Sequence, residues 1–273
     1  MQEIVLADGY ILTDENYYSL ETKKHTMSFH DYLNYVGGNM VVGCEAKAVA
    51  IENGEWEEPV TKPLLVGGYV DAYFEGSLDK WKKEHPECFT QKGELKAEFK
   101  QAEKMIARCN QDEYFMQTMS GEKQTIFTAN WAGTTWRCKL DSYIPHVAIV
   151  DLKTSANIHK AWRIADAGYV SFVEAYNYEK QLALYQKIVE INTGEKLPCY
   201  ISVVTKEDEP EICVINIDQM TLDHALNSIE MNMASVLAVK NGEAEPIRCE
   251  KCDYCKRTKK LTGAIAMEDL INE

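Results

Sequence analysis

Between residues 44 and 110, apolar residues recur every three to four positions, which is the spacing of amphipathic helices. The clearest pattern covers 93–110, where six apolar positions form one stripe: Leu95, Phe99, Ala102, Met105, Ile106 and Cys109. A similar stripe predicts a helix over 64–76, and the segment 44–50 suggests a short helix before it. We therefore expect helices in this part of the chain.

After residue 122 the spacing changes to alternation of apolar and polar positions, which is typical of half-buried strands. The predicted order is three strands, a helix, two strands and a long helix, over 123–131, 135–144, 146–155, 178–194, 199–206, 211–218 and 221–242. Gly194 is expected to end the first of these helices. This order predicts an α/β fold with a central mixed β-sheet flanked by helices.

The composition is that of an ordinary globular protein, with 273 residues of which 45% are hydrophobic and 26% charged. We predict a single domain over 1–273, with its core at about 44–220 and a basic, cysteine-containing tail at 245–273. No apolar run reaches the roughly 18 residues that a membrane span requires. The polar start does not resemble a signal peptide, so we expect a cytoplasmic protein with reduced thiols.

The formal net charge of −14 argues against a protein that coats nucleic acid nonspecifically over its whole surface. It does not exclude a nucleic-acid enzyme, because such an enzyme needs only a local basic track. Two clusters without intervening acids are candidates for phosphate contacts: Lys80, Lys82 and Lys83, and Lys256, Arg257, Lys259 and Lys260. Within 92–108, basic residues every four positions alternate with glutamates, which favours an ion-paired, solvated helix face.

Two charged residues lie on a predicted strand that is otherwise apolar. Asp151 and Lys153 share one face of the strand 146–155, since alternate residues of a strand point the same way. Asp141 lies ten residues upstream, and a hairpin between the two strands would bring it close to Asp151. Two close carboxylates repel each other unless a divalent cation lies between them, so this pattern predicts a Mg²⁺ site.

An isolated Asp-x-Lys pattern has a second interpretation, in which Asp151 and Lys153 form a structural ion pair at a strand end. Gln181 and Tyr185 could likewise belong to a polar helix face and to the core. Asp71 and Glu75, four residues apart, could belong to a solvated helix face. The residues taken singly leave these alternatives open.

The residues taken together resemble the PD-(D/E)XK nuclease superfamily, and within it the RecB-like and RecE-type phage exonucleases. Asp141, the Asp151-x-Lys153 motif and the later Gln181-x-x-x-Tyr185 match three marks of that family in order. The first mark covers 67–71, where Asp71 stands in the place of a frequent histidine, and Glu75 follows one helical turn later. The resemblance implies a restriction-endonuclease-like core with helical additions at both ends.

The resemblance also implies roles for these residues. Asp71, Asp141, Asp151 and the backbone carbonyl of Leu152 would hold Mg²⁺, for which Mn²⁺ can substitute. Lys153 would orient or deprotonate the attacking water. Gln181 and Tyr185 would orient Lys153 or the DNA backbone, and Glu75 would support the site.

The activity implied by the resemblance is Mg²⁺-dependent 5′→3′ digestion of linear double-stranded DNA in phage-type recombination. The 3′ single strands would pass to a single-strand annealing protein, and the enzyme would form a homo-oligomer. Two alternatives remain open from the sequence. One is a RecB-like repair endonuclease with the same site, and the other is a catalytically silent nucleic-acid-binding module of the same fold.

Cys249, Cys252 and Cys255 form a C-x-x-C-x-x-C motif, a spacing that can bring three thiolates around one metal. Zinc or an iron–sulfur cluster would need a fourth ligand, and no further cysteine follows in the tail. Some RecB-like nucleases close an iron–sulfur cluster with a distant upstream cysteine, and by that resemblance Cys44 is the expected ligand. The alternative is three reduced cysteines in a surface turn.

Overall fold

The structure of the chain, a computed structural model, describes residues 3–164 and 168–267. Residues 1–2 and 165–167 of the predicted domain, and residues 268–273 of its predicted tail, lie outside the described residues. The helices are α1 (Leu20–His25), α2 (Phe29–Val36), α3 (Glu45–Glu52), α4 (Lys62–Glu75), α5 (Leu78–Glu84), α6 (Ala97–Asn110), α7 (Glu113–Thr118), α8 (Phe172–Ala175), α9 (Tyr178–Thr193), α10 (Gln219–Lys240) and α11 (Asp253–Arg257).

The strands form one four-stranded sheet and three two-stranded ribbons among the described residues. In chain order they are β1 (Glu3–Val5), β2 (Ile11–Thr13), β3 (Thr125–Trp131), β4 (Thr134–Leu140), β5 (Ser142–Ile144), β6 (Ala148–Ser155), β7 (Trp162–Ile164), β8 (Gly168–Val170), β9 (Cys199–Thr205) and β10 (Ile212–Ile217). The ribbons are the pairs β1–β2, β3–β4 and β7–β8.

The four-stranded sheet has the strand order β10–β9–β6–β5 and is mixed, as the sequence predicts. β6 runs parallel to β9, with Asp151 opposite Ile201. The pairs β9–β10 and β5–β6 are antiparallel. A parallel pair needs a long crossover connection, and here that connection contains α9.

Both faces of the sheet are buried under helices. On one face, Ile149 of β6 packs in a cluster with Leu182 of α9. On the other face, Leu152 of β6 packs in a cluster with Val70 of α4. Because successive strand residues point to opposite faces, Asp151 lies on the same face as Ile149, towards α9. The sheet therefore presents Asp151 and Lys153 to the helix that carries the Gln181 motif.

The predicted strand 135–144 is broken at Asp141, which separates β4 from β5. β4 pairs with β3 as a ribbon outside the main sheet, whereas β5 pairs with β6. The side chain of Asp141 stabilises the bend, because its Oδ2 accepts a hydrogen bond from the backbone N–H of Leu152 at 2.8 Å. The expectation of one continuous strand is therefore wrong, and Asp141 approaches β6 from a bend.

The helix predicted over 93–110 begins only at Ala97. Gly93 has a φ of +78°, within a turn closed by a hydrogen bond between Thr90 and Glu94, so the helix cannot extend through it. Lys92 and Lys96 consequently lie outside the helix, and the predicted row of basic residues is shorter than expected. By contrast, α9 ends where predicted, with Gly194 in the left-handed conformation.

The described segments before and after this core pack beside it. The N-terminal addition combines the β1–β2 ribbon with α1 and α2, and the C-terminal addition consists of α10 and α11. α10 packs along α9. Among the described residues, no helix is both long and apolar enough to span a membrane.

Candidate active site and thiolate cluster

Asp151 and Lys153 of β6 form the centre of the candidate active site. Lys153 Nζ lies 2.5 Å from Asp151 Oδ2. Asp151 is buried, and the Lys153 side chain keeps 18% of its surface exposed. Burial opposes the charged form of Lys153, but attraction to Asp151 and Asp141 outweighs it and raises the lysine pKa above its usual value.

Asp141 contributes a second carboxylate next to this pair. Its Oδ2 is held by the backbone N–H of Leu152, and its Oδ1 lies 3.5 Å from Nε2 of Gln124. Burial and the negative charge of Asp151 raise the pKa of Asp141 to about 7. The carboxyl group is thus placed by the backbone of β6 in an environment that disfavours its ionisation without a cation.

Asp71 brings a third carboxylate from α4, on the opposite face of the sheet. Burial and the charge of Asp141 raise the pKa of Asp71 well above its usual value. Asp71 and Asp141 line one small cleft together with Leu152, Glu75, Phe74, Met119 and Gln124. Glu75 is exposed at the rim of the cleft, where its Oε2 accepts a hydrogen bond from Ser77 Oγ at 3.0 Å. Repulsion among these acids indicates a place for a cation.

Gln181 and Tyr185 lie on one face of α9, directly over β6. Gln181 Nε2 donates hydrogen bonds to Oδ1 of Asp151 at 3.2 Å and to the Tyr185 hydroxyl at 3.0 Å. Residues four positions apart on a helix are neighbours, so the Gln-x-x-x-Tyr spacing allows this chain of contacts. Both side chains are buried, and their contacts fix the orientation of the Asp151 carboxylate.

The residues of this site fit a hard divalent cation. Carboxylate oxygens are the protein ligands that Mg²⁺ prefers. Asp71 and Asp141 have raised pKa values because burial and mutual repulsion disfavour their charges, and a bound cation would relieve that repulsion. The sequence-predicted set of Asp71, Asp141, Asp151 and Lys153 is therefore brought together, with Gln181 and Tyr185 behind it.

A cluster of four cysteines joins two segments that lie far apart in the chain. The Sγ atoms of Cys44, Cys249, Cys252 and Cys255 all lie within 4.8 Å of one another. Cys44 precedes α3, and its Sγ lies 3.5 Å from that of Cys255, 211 residues later in the chain. The structure therefore places Cys44 beside the C-x-x-C-x-x-C motif, as the resemblance implies.

The sulfur spacing in this cluster suits a single metal ion. Tetrahedral zinc with bonds of about 2.3 Å holds its thiolates about 3.8 Å apart. The Cys44–Cys255 and Cys249–Cys255 separations are 3.5 and 3.9 Å. A cubane cluster has its thiolates on the outside of four irons, which needs wider spacing. Burial opposes ionisation of Cys249, but backbone N–H donors from Cys252 and Lys251 lower its pKa to about 6, which favours a thiolate.

The two basic clusters that were predicted to contact phosphate have different surroundings. Lys80 and Lys82 pair with Glu84 and Glu103, at 4.0 and 3.4 Å. These partners come from the helical turn and from α6, so the absence of acids between the lysines did not leave them unpaired. In the tail, Lys256 pairs with Asp253 at 3.7 Å, and Arg257 lies over the ring of Trp56, 5.6 Å from its centre, beside the cysteine cluster.

Two further residues that no sequence motif predicted lie near Lys153. The Tyr178 ring centre lies 5.0 Å from Lys153 Nζ, one turn before Gln181 on α9. His30 of α2 has a lowered pKa, because desolvation of its ring and then the charge of Lys153 disfavour protonation. The Tyr178 position could have been found from its spacing to Gln181, whereas His30 comes from a distant segment and carries no local signal.

Comparisons with known proteins show the family of the chain. The family "PDDEXK-like domain of unknown function (DUF3799)" matches residues 28–258. A crystal structure of a "putative exonuclease" from Eubacterium rectale shares 52% identity over 96% of this chain and 98% of that chain, with a TM-score of 0.94. The crystal structure of SSO0001 shares 14% sequence identity over 68% of this chain and 83% of that chain, and the TM-score of 0.27 is too low to indicate a shared fold. No curated protein matches the sequence. This chain belongs to the PDDEXK-like family.

Proposed function

We propose that the protein is a Mg²⁺-dependent exonuclease that hydrolyses phosphodiester bonds of linear double-stranded DNA from its ends. The observation that carries the proposal is the convergence of Asp71, Asp141 and Asp151 beside the half-buried Lys153. The similarity to the E. rectale protein supports an exonuclease rather than another member of the superfamily.

The carboxylates of Asp71, Asp141 and Asp151 would hold Mg²⁺ or Mn²⁺, and the carbonyl of Leu152 would add a backbone ligand. The metal lowers the pKa of a bound water and neutralises charge that develops on the scissile phosphate. Gln181 holds Asp151 in place through the hydrogen bond to Oδ1, and Tyr185 in turn holds Gln181. Glu75, at the rim, would contribute through the negative charge that it adds to the cleft.

For Lys153 we expect one of the two roles that the resemblance implies, orientation of the attacking water rather than its deprotonation. In the metal-free protein, the neighbouring acids raise the pKa of Lys153 above its usual value, which favours the protonated form. A protonated lysine cannot remove a proton from water. It can donate hydrogen bonds to the attacking water or to a phosphate oxygen, and it can stabilise the additional negative charge of the transition state.

The finer features of the proposal rest on the resemblance to RecE-type exonucleases. We expect 5′→3′ digestion that leaves 3′ single strands for an annealing protein in phage-type recombination, and a homo-oligomeric enzyme. For the second cluster, we propose that Cys44, Cys249, Cys252 and Cys255 bind one zinc ion. That ion would fix the basic residues 256–260 near α3 and so help to position DNA.

Incubation of the purified protein with linear duplex DNA, labelled at one 5′ end or one 3′ end, tests the proposal. With Mg²⁺, the label on the attacked end should be released as short products at once, whereas the opposite label should remain on shortening strands. EDTA should stop the reaction. Binding without cleavage in Mg²⁺ and Mn²⁺ would instead indicate the silent nucleic-acid-binding module.

A further inference from the structure

A row of three aromatic rings leads from the candidate active site to the surface of the protein. The row begins with Tyr178, whose ring centre lies 5.0 Å from Lys153 Nζ. The Tyr176 ring is stacked on it, with centres 5.8 Å apart and planes at 23°. Trp162 follows, with its ring centre 5.4 Å from that of Tyr176 and its plane at 75°. All three side chains are half-buried.

A cation stands at each end of this aromatic row. Lys153 lies at the inner end, and Lys160 Nζ lies 4.0 Å from the centre of the Trp162 ring at the outer end. Lys160 is exposed. Cations over aromatic faces are attracted by the ring electrons, so each lysine adds positive charge at one end of the row.

The backbone conformation of Asn177 brings the two tyrosines together. Asn177 separates α8 from α9 and has a φ of +58°, a left-handed conformation that asparagine tolerates better than most residues. The turn places Tyr176 at the end of α8 and Tyr178 at the start of α9. Asn177 is fully buried, and a Cβ added to Gly38 would lie 2.0 Å from its Nδ2, so the loop after α2 packs tightly over this turn.

Tyr178, Tyr176 and Trp162 pack against the main core but keep part of their surface accessible. Proteins that bind unpaired nucleic acid combine such rings with cations, because bases stack on aromatic side chains while the cations follow the phosphates. The row lies beside the proposed catalytic lysine, so a strand stacked on it would place a phosphate near Lys153.

We infer that Tyr178, Tyr176 and Trp162 form a stacking surface for unpaired bases of the strand that is cut. This inference rests on the proposed nuclease function and adds to it a substrate class. A paired base cannot stack on a side chain while it remains inside the duplex. The end of a duplex must therefore be unpaired over a few nucleotides before its phosphate reaches Lys153.

The test compares fluorescein-labelled DNA whose single-stranded tail carries normal bases with the same DNA whose tail is abasic. Both tails have the same phosphates, so charge is matched, and the protein is the unmodified chain. Fluorescence anisotropy with Ca²⁺ in place of Mg²⁺ measures affinity without cleavage. Loss of stacking should weaken binding roughly 5- to 100-fold, whereas equal affinities would overturn the inference.

Protein variants supply the second measurement. Tyr176→Leu should discriminate less between the two tails than the wild type does, and Tyr176→Phe should restore discrimination because it keeps the ring. Tyr114→Leu, at a 60% exposed tyrosine on α7, is the control. Tyr178 is left unchanged because its ring contacts Lys153. If Tyr176→Leu does not fold, Trp162→Leu provides the same comparison at the outer ring of the row, and unchanged discrimination would overturn the inference.

Different results would contradict the nuclease function and the stacking surface. If the wild type neither binds nor cleaves DNA with divalent metal, the proposed function itself is wrong. If the wild type cleaves linear DNA but binds normal and abasic tails equally, only the stacking surface is wrong.

Discussion

Gln181 on α9 donates a hydrogen bond to Oδ1 of Asp151 on β6, with 3.2 Å between the two heavy atoms. Both side chains are buried, so the bond is shielded from water. It leaves Oδ2 of Asp151 facing Lys153. A buried carboxylate with a hydrogen bond to one of its oxygens has little freedom to rotate. A metal ligand requires such a fixed orientation.

Lys153→Ala and Asp151→Asn should each reduce cleavage of linear duplex DNA by at least ~100-fold, because charge stabilisation and metal ligation are lost. Initial rates on end-labelled duplex in Mg²⁺ provide the measurement. Lys240→Ala is the matched control, since Lys240 forms a comparably shielded ion pair with Glu52 at 2.7 Å outside the site. Near wild-type cleavage by either site variant would show that the active site lies elsewhere.

Gln181→Leu should raise the Mg²⁺ concentration needed for half-maximal activity by roughly 10- to 100-fold, the usual effect of losing a residue that orients a metal ligand. A Mg²⁺ titration of the cleavage rate measures this. Gln186→Leu provides the comparison, because Gln186 is also buried on α9 but bonds to the Leu197 carbonyl and Gln219. If both variants changed the Mg²⁺ requirement equally, a general loss of helix packing would explain the effect.

Linear duplex DNA should be degraded while covalently closed circles of the same sequence remain intact, because the proposed enzyme starts at ends. Gel analysis of both substrates over one time course, with the circles free of nicks, makes the comparison. Linearising the circle with a restriction enzyme should make it a substrate. Equal rates on closed and linear forms would identify the protein as an endonuclease with the same site.

The stability of the metal-free protein should depend on the ionisation of Asp141. Its pKa is about 7 in the folded state, because of burial and the charge of Asp151, against an ordinary value of 3.8. Between these values the folded chain keeps a proton that the unfolded chain releases. The Asp141 contribution to stability is therefore largest below pH 4, falls as the pH rises to about 7, and is constant above that.

Melting temperatures in EDTA, measured from pH 4 to pH 8 for the wild type and for Asp141→Asn, test this expectation. The melting temperature of Asp141→Asn should rise relative to that of the wild type as the pH increases, because the variant has no charge to bury. Mg²⁺ should stabilise the wild type progressively more over the same interval, since it binds the ionised carboxylate. A difference in melting temperature that did not change with pH would contradict the raised pKa of Asp141.

Cys252→Ser should remove a stoichiometric zinc ion and lower the melting temperature, because the metal closes a loop of about two hundred residues and stabilises the folded state. Elemental analysis of anaerobically purified protein measures the metal. Cys213→Ser is the control, since Cys213 is a half-buried cysteine of β10 outside the cluster. If the protein contained iron with a brown absorption, the bound metal would be iron rather than zinc. If it contained neither iron nor zinc, the proposed metal site would be wrong.

Local spacing in the sequence was sufficient for part of this site. Alternation along β6 places Asp151 and Lys153 on one face, and the four-residue spacing on α9 places Gln181 above Tyr185. Both relationships follow from the repeat of one strand or one helix, so each could be predicted from a few neighbouring residues.

Contacts between distant segments depended on the tertiary structure. The bend at Asp141 exists because its carboxylate accepts the N–H of Leu152, and the row of rings exists because Trp162 packs on Tyr176. The approach of Asp71 to Asp141 likewise depends on how α4 packs on the sheet. A helical or strand repeat carries no information about which other segment packs against it. The sequence alone therefore determined the directions of these side chains, and packing of the helices on the sheet determined which of them meet.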